Sequence, residues 1–308
     1  LQITVRSLPA GNLVVPKKSR VLTLPVFRIM KLSEWRAASA LPVHEKDLLI
    51  EHICGLDKIH IFLNAASFTL SEEMLEALNR FQARRLKGEP LQYILGYAYF
   101  MGSRFKVAPG VLIPRPDTEV LVSEVVRQIR SRSHAAKCRV LDLCTGSGCI
   151  GISILKKLGN PCAIRMIMSD ISDVALALSK ENYISLMNAS YDTIFIKSDF
   201  FASLRGMRFD VIVSNPPYIR TSDLAMLDAE VRDYEPRIAL AGGADGLDAY
   251  RVIAREAAAF LNEDGHLFLE VGFDQAEEVR ALFLQDFTHT EIIKDLNGFG
   301  RVVHLYNH

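Results

Sequence analysis

With 308 residues, 49% of them hydrophobic, the chain can bury a substantial core, and its length suits two domains. Formal charge is zero, but residues 1–29 hold Arg6, Lys17, Lys18, Arg20 and Arg28 with no acid, so the rest of the chain is net acidic. An acidic body argues against a phosphate-tracking surface, and no stable nucleic-acid binding is expected.

The longest uncharged runs, 91–103 and 143–155, contain glycines and fall short of the roughly 18 to 20 apolar residues a bilayer span needs, so a soluble protein with no membrane partner is expected. Five cysteines, Cys54, Cys138, Cys144, Cys149 and Cys162, form no C-x-x-C pair. That usage fits reduced thiols in a cytoplasmic protein better than a disulfide framework or a zinc site, and no metal is expected. His44, His52 and His60 recur every eight residues, which does not hold one helical face, and they read as solvated or core side chains.

Residues 1–29 form a basic leader without a helical stripe, expected to be unstructured or non-native, with Met30 as the natural start. Residues 30–88 read as a small helical domain: Leu48, Leu49, His52 and Ile53, then Met74, Leu75, Leu78 and Leu86, recur at three- and four-residue steps. Ser33 and Ser71 are the expected caps. Residues 89–116 become aromatic and β-branched around Gly102, which predicts a β-hairpin linker ending in Pro114-Arg115-Pro116. Asp117 is expected to cap an amphipathic helix over 118–130, within a unit running from 117 to 308. Strands are predicted at 139–143, 164–169, 193–197, 209–214, 265–271, 290–294 and 301–306, alternating with helices at α/β spacing.

Three strand ends carry chemistry. The first runs into Cys144-Thr145-Gly146-Ser147-Gly148 and then Gly151, a G-x-G-x-x-G turn between strand and helix. Asp170, about 20 residues on, closes the next strand, where a carboxylate can accept ribose hydroxyls. The pair suits a dinucleotide or S-adenosylmethionine; Asp142 just before the loop, and the lack of a hydride-transfer constellation, favour the latter. Ser198-Asp199-Phe200-Phe201 ends the third strand with a carboxylate and aromatic faces suited to adenine.

Asn215-Pro216-Pro217-Tyr218 follows the run FDVIVS directly. Neither proline has an N–H, and a residue before proline is driven to extended geometry, so the loop cannot satisfy its own carbonyls. The Asn215 side-chain oxygen and the Pro216 carbonyl then stand ready to accept both hydrogens of a planar NH2 group, with Tyr218 against its face.

Together with 230–250 (EVRDYEPRIALAGGADGLDAY), 89–122 and 270–279 (EVGFDQAEEV), these segments resemble the release factor glutamine methyltransferases, the HemK/PrmC family, over nearly everything from Met30 on. Cys144 stands where many members have Gly, and 296–301 (LNGFGR) lacks the acid usual before the arginine, leaving Arg301 without an evident ion pair. The resemblance implies a class I S-adenosylmethionine-dependent methyltransferase, an α/β Rossmann-like fold with a seven-stranded sheet and a small N-terminal helical domain joined by a β-hairpin. It implies the Gly-Gly-Gln glutamine of class I peptide-chain release factors as substrate. By the same resemblance Cys144 to Gly148 cradle the methionine part of the cofactor, Asp170 holds the ribose, Asp199 and Phe200 the adenine region, and the helical domain recognises the factor's body.

Other readings are an adenine-N6 nucleic-acid methyltransferase, which Asn-Pro-Pro-Tyr also suits, a nicotinamide oxidoreductase, which leaves Asn215 to Tyr218 idle, and a non-catalytic binding module, which predicts degraded motifs.

Overall fold

Apolar side chains at helical spacing gather the first elements into one core. These are α1 (Leu32–Ala38), α2 (Val43–Cys54), α3 (Lys58–Asn64), α4 (Glu72–Leu86) and α5 (Leu91–Leu95). Leu32, Trp35, Leu49, Ile50, Ile61, Leu78, Leu91, Ile94 and Leu95 meet there. The computed structural model describes residues 30–132, 137–159, 164–187 and 191–307, so the expectations for residues 1–29 and Cys162 lie outside the described residues.

Ser71 caps α4, its hydroxyl accepting from the Met74 amide at 3.2 Å. Ser33 does not cap α1: it lies inside the helix, where Lys31 is the N-cap and its backbone N–H donates to Glu34 at 3.0 Å. The segment 91–95, expected as part of the hairpin text, is helical because burying Leu91, Ile94 and Leu95 against the helical core outweighs aromatic β-propensity. Gly96 at φ +78° ends that turn, and the hairpin follows as β1 (Tyr97–Phe100) and β2 (Ser103–Lys106).

Pro116–Thr118 forms a 3-10 turn ahead of α6 (Glu119–Ser131), which buries Leu121, Val122, Val125, Val126 and Ile129 on one stripe. Asp117 therefore does not cap α6; its carboxylate lies 3.0 Å from the Arg301 guanidinium instead.

From there strands and helices alternate: β3 (Cys138–Leu143), α7 (Cys149–Leu158), β4 (Ile164–Asp170), α8 (Asp173–Leu186), β5 (Asp192–Lys197) and β6 (Phe209–Ser214). Next come α9 (Ala229–Tyr234), α10 (Arg237–Leu240), α11 (Asp248–Phe260), β7 (Leu261–Glu270), α12 (Ala276–Ala281), β8 (His289–Lys294) and β9 (Gly300–Tyr306). The sheet order is β5-β4-β3-β6-β7-β9-β8, parallel throughout except β9, which runs antiparallel to both neighbours. Each predicted strand is present within a few residues of its expected bounds.

Alternate side chains feed opposite faces, as strand geometry requires. Val140, Met166, Met168, Val211 and Phe268 pack with α6 and α7 on one side; Leu141, Ile167, Ile212, Leu267 and Leu269 pack with α11 and α12 on the other. Strand order reverses between β3 and β6, so the crevice beyond their carboxyl ends is the position where open α/β sheets bind ligands. No helix among the described residues is long and apolar enough to cross a membrane.

Candidate active site

β3 delivers a loop whose shape is set from beneath by a buried carboxylate. Asp142 is fully buried, and its Oδ2 accepts from the Thr145 hydroxyl at 2.6 Å and the Gly151 amide at 3.0 Å. Burial is the main cause pushing its carboxyl up to about 7, opposed by those two donors. Above it Cys144 adopts φ +60° and Gly146 φ +55°. A left-handed non-glycine residue costs about 1 to 2 kcal/mol, which accounts for glycine's suitability at the Cys144 position.

Asp170 closes the loop from the neighbouring strand. One carboxylate oxygen accepts from the Gly146 amide and the other from the Ser172 amide, each at 2.9 Å. Burial raises its pKa, and the backbone donors work against that shift. Past β5, Phe200 is held at φ +43°, while Phe201 turns into the core and stacks on Phe260 with centroids 4.7 Å apart.

A cavity of about 360 Å³ opens over these strand ends. Cys144, Thr145, Gly146, Ser147, Asp170, Asp199, Phe200, Asn215 and Pro217 all line it. Gly148, Pro216 and Tyr218 are not among its lining residues. Gly148 instead allows close packing: a Cβ there would meet Ile152, Met168 and Ser179 at 3.0 Å. Tyr218 packs toward the second sheet face, where burial pushes its hydroxyl pKa well up and its carbonyl accepts from Gln275 at 3.1 Å.

The acceptor loop is braced by the segment after α10. The Ile219 amide donates to the Leu240 carbonyl at 2.9 Å, and the Gly242 amide donates back to Ile219 at 2.8 Å. A side chain at Gly242 would come within 2.7 Å of the Tyr218 Cα, so the Gly-rich stretch serves close backbone approach. The Asn215 Nδ2 faces the Thr118 hydroxyl at 3.4 Å.

Residues 35–96 match the model for the PrmC N-terminal domain, and residues 116–230 match that for the methyltransferase small domain. The release factor glutamine methyltransferase of Geobacter sulfurreducens is 44% identical across 84% of this chain and 87% of that protein. The enzyme of the same name from Thermodesulfovibrio yellowstonii is 38% identical across 85% and 91%. The chain belongs to the release factor glutamine methyltransferase family. A solved methyltransferase from Pyrococcus furiosus also aligns, with a TM-score of 0.49 and 16% identity over 74% of this chain and 98% of that one.

The cofactor of this methyltransferase family is S-adenosylmethionine, and the residues present fit it. A Cβ built at Gly146 would meet nothing closer than Val111 at 4.0 Å, which leaves an open cradle above the loop. Asp170 keeps lone pairs beyond its two backbone donors, as a ribose diol requires.

Other residues of this methyltransferase come to the site without having been singled out from sequence. Thr118, Ile238, Ala239, Asp248 and Ala249 line the cavity, and Glu270 lies buried beside Asn215 at the end of β7. Asp142, which in the sequence favours S-adenosylmethionine over a dinucleotide, acts from below the loop. Arg301 does have ion pairs: Asp295 at 3.1 Å and Asp117 at 3.0 Å. Its acid sits immediately before the 296–301 run, one step outside the window in which it was sought. Arg115, on the cavity wall, pairs with the buried Glu235.

Proposed function

We propose that this protein transfers a methyl group from S-adenosylmethionine to the side-chain amide nitrogen of the glutamine in the Gly-Gly-Gln motif of class I peptide-chain release factors, modulating translation termination. The observation that carries the reading is the placement of Asn215: it lines the same cavity as Cys144 to Ser147 and Asp170, with its Nδ2 turned to Thr118. An acceptor oxygen is thereby available next to the cofactor cradle.

A carboxamide nitrogen is a poor nucleophile because its lone pair is delocalised. Bound in the cradle, S-adenosylmethionine supplies a strongly electrophilic sulfonium methyl, so alignment is what the protein must add. In this reading the Asn215 Oδ1 and the Pro216 carbonyl accept the two N–H groups of the glutamine. Those acceptors favour the positive charge that develops on nitrogen during transfer. Pro217 and Tyr218 shape the slot, and no general base is required before attack. Cys144 to Gly148 hold the methionine end, Asp170 the ribose, and Asp199 with Phe200 the adenine end.

The division into a helical domain (30–88), a hairpin linker (89–116) and a methyltransferase domain (117–308) gives the helical part the task of recognising the release-factor body. Arg85 supports coupled placement of the two, because it bonds Glu45 of α2 at 2.9 Å and Glu230 of α9 at 2.8 Å. The protein is cytoplasmic in this account and binds no nucleic acid stably; reduced cysteines and the acidic body support both. Incubation with labelled S-adenosylmethionine and purified release factor, beside a factor whose motif glutamine is replaced, tests the assignment. Label on the unaltered factor alone is expected. Label on an adenine-containing oligonucleotide instead would transfer the reading to adenine-N6 methylation.

A further inference from the structure

Glu270 ends β7 directly beside the acceptor loop. In the parallel pairing of β6 with β7, Ser214 lies opposite Leu269, so Asn215 and Glu270 leave the sheet as neighbours. Glu270 is 1% exposed, and its Oε2 has no hydrogen-bond partner. A buried carboxylate is costly unless paired, and costly carboxylates concentrate at functional sites. Arg301, the cation whose charge acts on it, forms no ion pair with it. Arg301 directs Nε and Nη2 to Asp295, Nη2 also to Asp117, and Nη1 to the Val271 carbonyl. The polar side chains beside the Glu270 carboxylate are Thr118 and Asn215, and both act to lower its pKa.

A carboxamide has a donor end and an acceptor end of nearly the same shape, so neighbouring groups must decide which one faces a ligand. We propose that Glu270 is a positioning residue that, through Thr118, fixes Asn215 with its oxygen toward the substrate. An ionised carboxylate only accepts. Accepting a hydrogen bond from the Thr118 hydroxyl, it leaves the Thr118 oxygen lone pairs to accept from Asn215 Nδ2, which faces them at 3.4 Å. The Oδ1 is then presented to the cavity as an acceptor. With the carboxylate lost or protonated, the carboxamide is free to turn over and oppose an NH2 group to the substrate's own NH2.

Burial pushes the Glu270 carboxyl up to about 7, against the Thr118 and Asn215 hydrogen bonds and the Arg301 charge. The other ionisable groups facing it are Asp117 before α6, Cys149 on α7, Tyr218 after β6 and Tyr250 on α11, whose hydroxyl donates to the Glu270 carbonyl at 2.7 Å.

This inference rests on Asn215 as the substrate acceptor, so Asn215→Ala is measured alongside. Glu270→Ala, Glu270→Gln and Thr118→Val are compared with the unaltered enzyme at saturating S-adenosylmethionine, using release factor as substrate. Glu270→Ala is expected to lower kcat on the order of 100-fold with cofactor affinity unchanged, and Glu270→Gln, the neutral isostere of the protonated acid, to hold kcat near the low-pH value of the unaltered enzyme. The kcat of the unaltered enzyme should fall as pH drops below about 7, and that acid limb should vanish in Glu270→Gln. Full kcat in Glu270→Ala, or an acid limb that persists in Glu270→Gln, overturns the proposal. If Glu270→Ala does not fold, the isosteric Glu270→Gln and its pH profile decide. An inactive Asn215→Ala beside a fully active Glu270→Ala rejects the positioning role alone, whereas a fully active Asn215→Ala rejects the acceptor reading beneath it.

Discussion

The Gly151 amide donates to Asp142 Oδ2 at 3.0 Å, and a Cβ at Gly151 would lie 2.9 Å from that same oxygen. The third glycine of the fingerprint therefore serves a carboxylate beneath the loop. Gly151→Ala is expected to displace Asp142, costing about 1 to 3 kcal/mol of stability and weakening cofactor binding. Thermal melting and cofactor titration check both; an unchanged melting temperature would show that the helix shifts freely to make room.

Much of this arrangement was legible in the sequence, and the exceptions have physical causes. The buried parallel strands β3, β4, β6 and β7 were readable because such strands are short apolar runs bounded by turn residues. The segment 91–95 was misread because five residues cannot display a helical period against their aromatic content, and only tertiary burial decides them. Glu270 was invisible as a site residue because its importance comes from Asn215 and Thr118, which are distant in sequence. The Arg301 ion pairs were missed because one acid lies just outside the local window and Asp117 arrives from another element.

The pH dependence of stability follows from Asp142. Its ordinary value of 3.8 is raised to about 7 on folding, so the folded state keeps a proton that the unfolded state has already released between those values. Stability from this group is present at acid pH and is lost as pH rises through that window. Asp142→Asn places a carbonyl where Thr145 and Gly151 donate and removes the titration. Denaturant midpoints compared at the two ends of that window, near 3.8 and near 7, should therefore differ less in Asp142→Asn than in the unaltered protein.

Asp170 accepts two backbone N–H groups in addition to its expected ribose contact. Asp170→Ala should weaken cofactor binding by roughly 10- to 100-fold, since charged hydrogen bonds contribute about 1.5 to 3 kcal/mol each and water replaces only part of the loss. Calorimetric titration with S-adenosylhomocysteine measures this; affinity unchanged within error would remove Asp170 from the cofactor site.

Arg301 is nearly buried between two carboxylates and joins β9 to the turn before α6. Arg301→Met removes the cation shared by Asp117 and Asp295 and should lower the denaturant midpoint. Asp117 is partly exposed, so Asp117→Asn should cost much less.

Mass spectrometry of the release-factor peptide that carries Gly-Gly-Gln, after reaction with the unaltered enzyme and with Asn215→Ala, tests the central claim most directly. The account predicts one methyl group on the glutamine side-chain nitrogen with the unaltered enzyme, and a yield lowered on the order of 100- to 1,000-fold with Asn215→Ala while cofactor affinity holds. Methylation at another residue, or equal yield from the two enzymes, would contradict it.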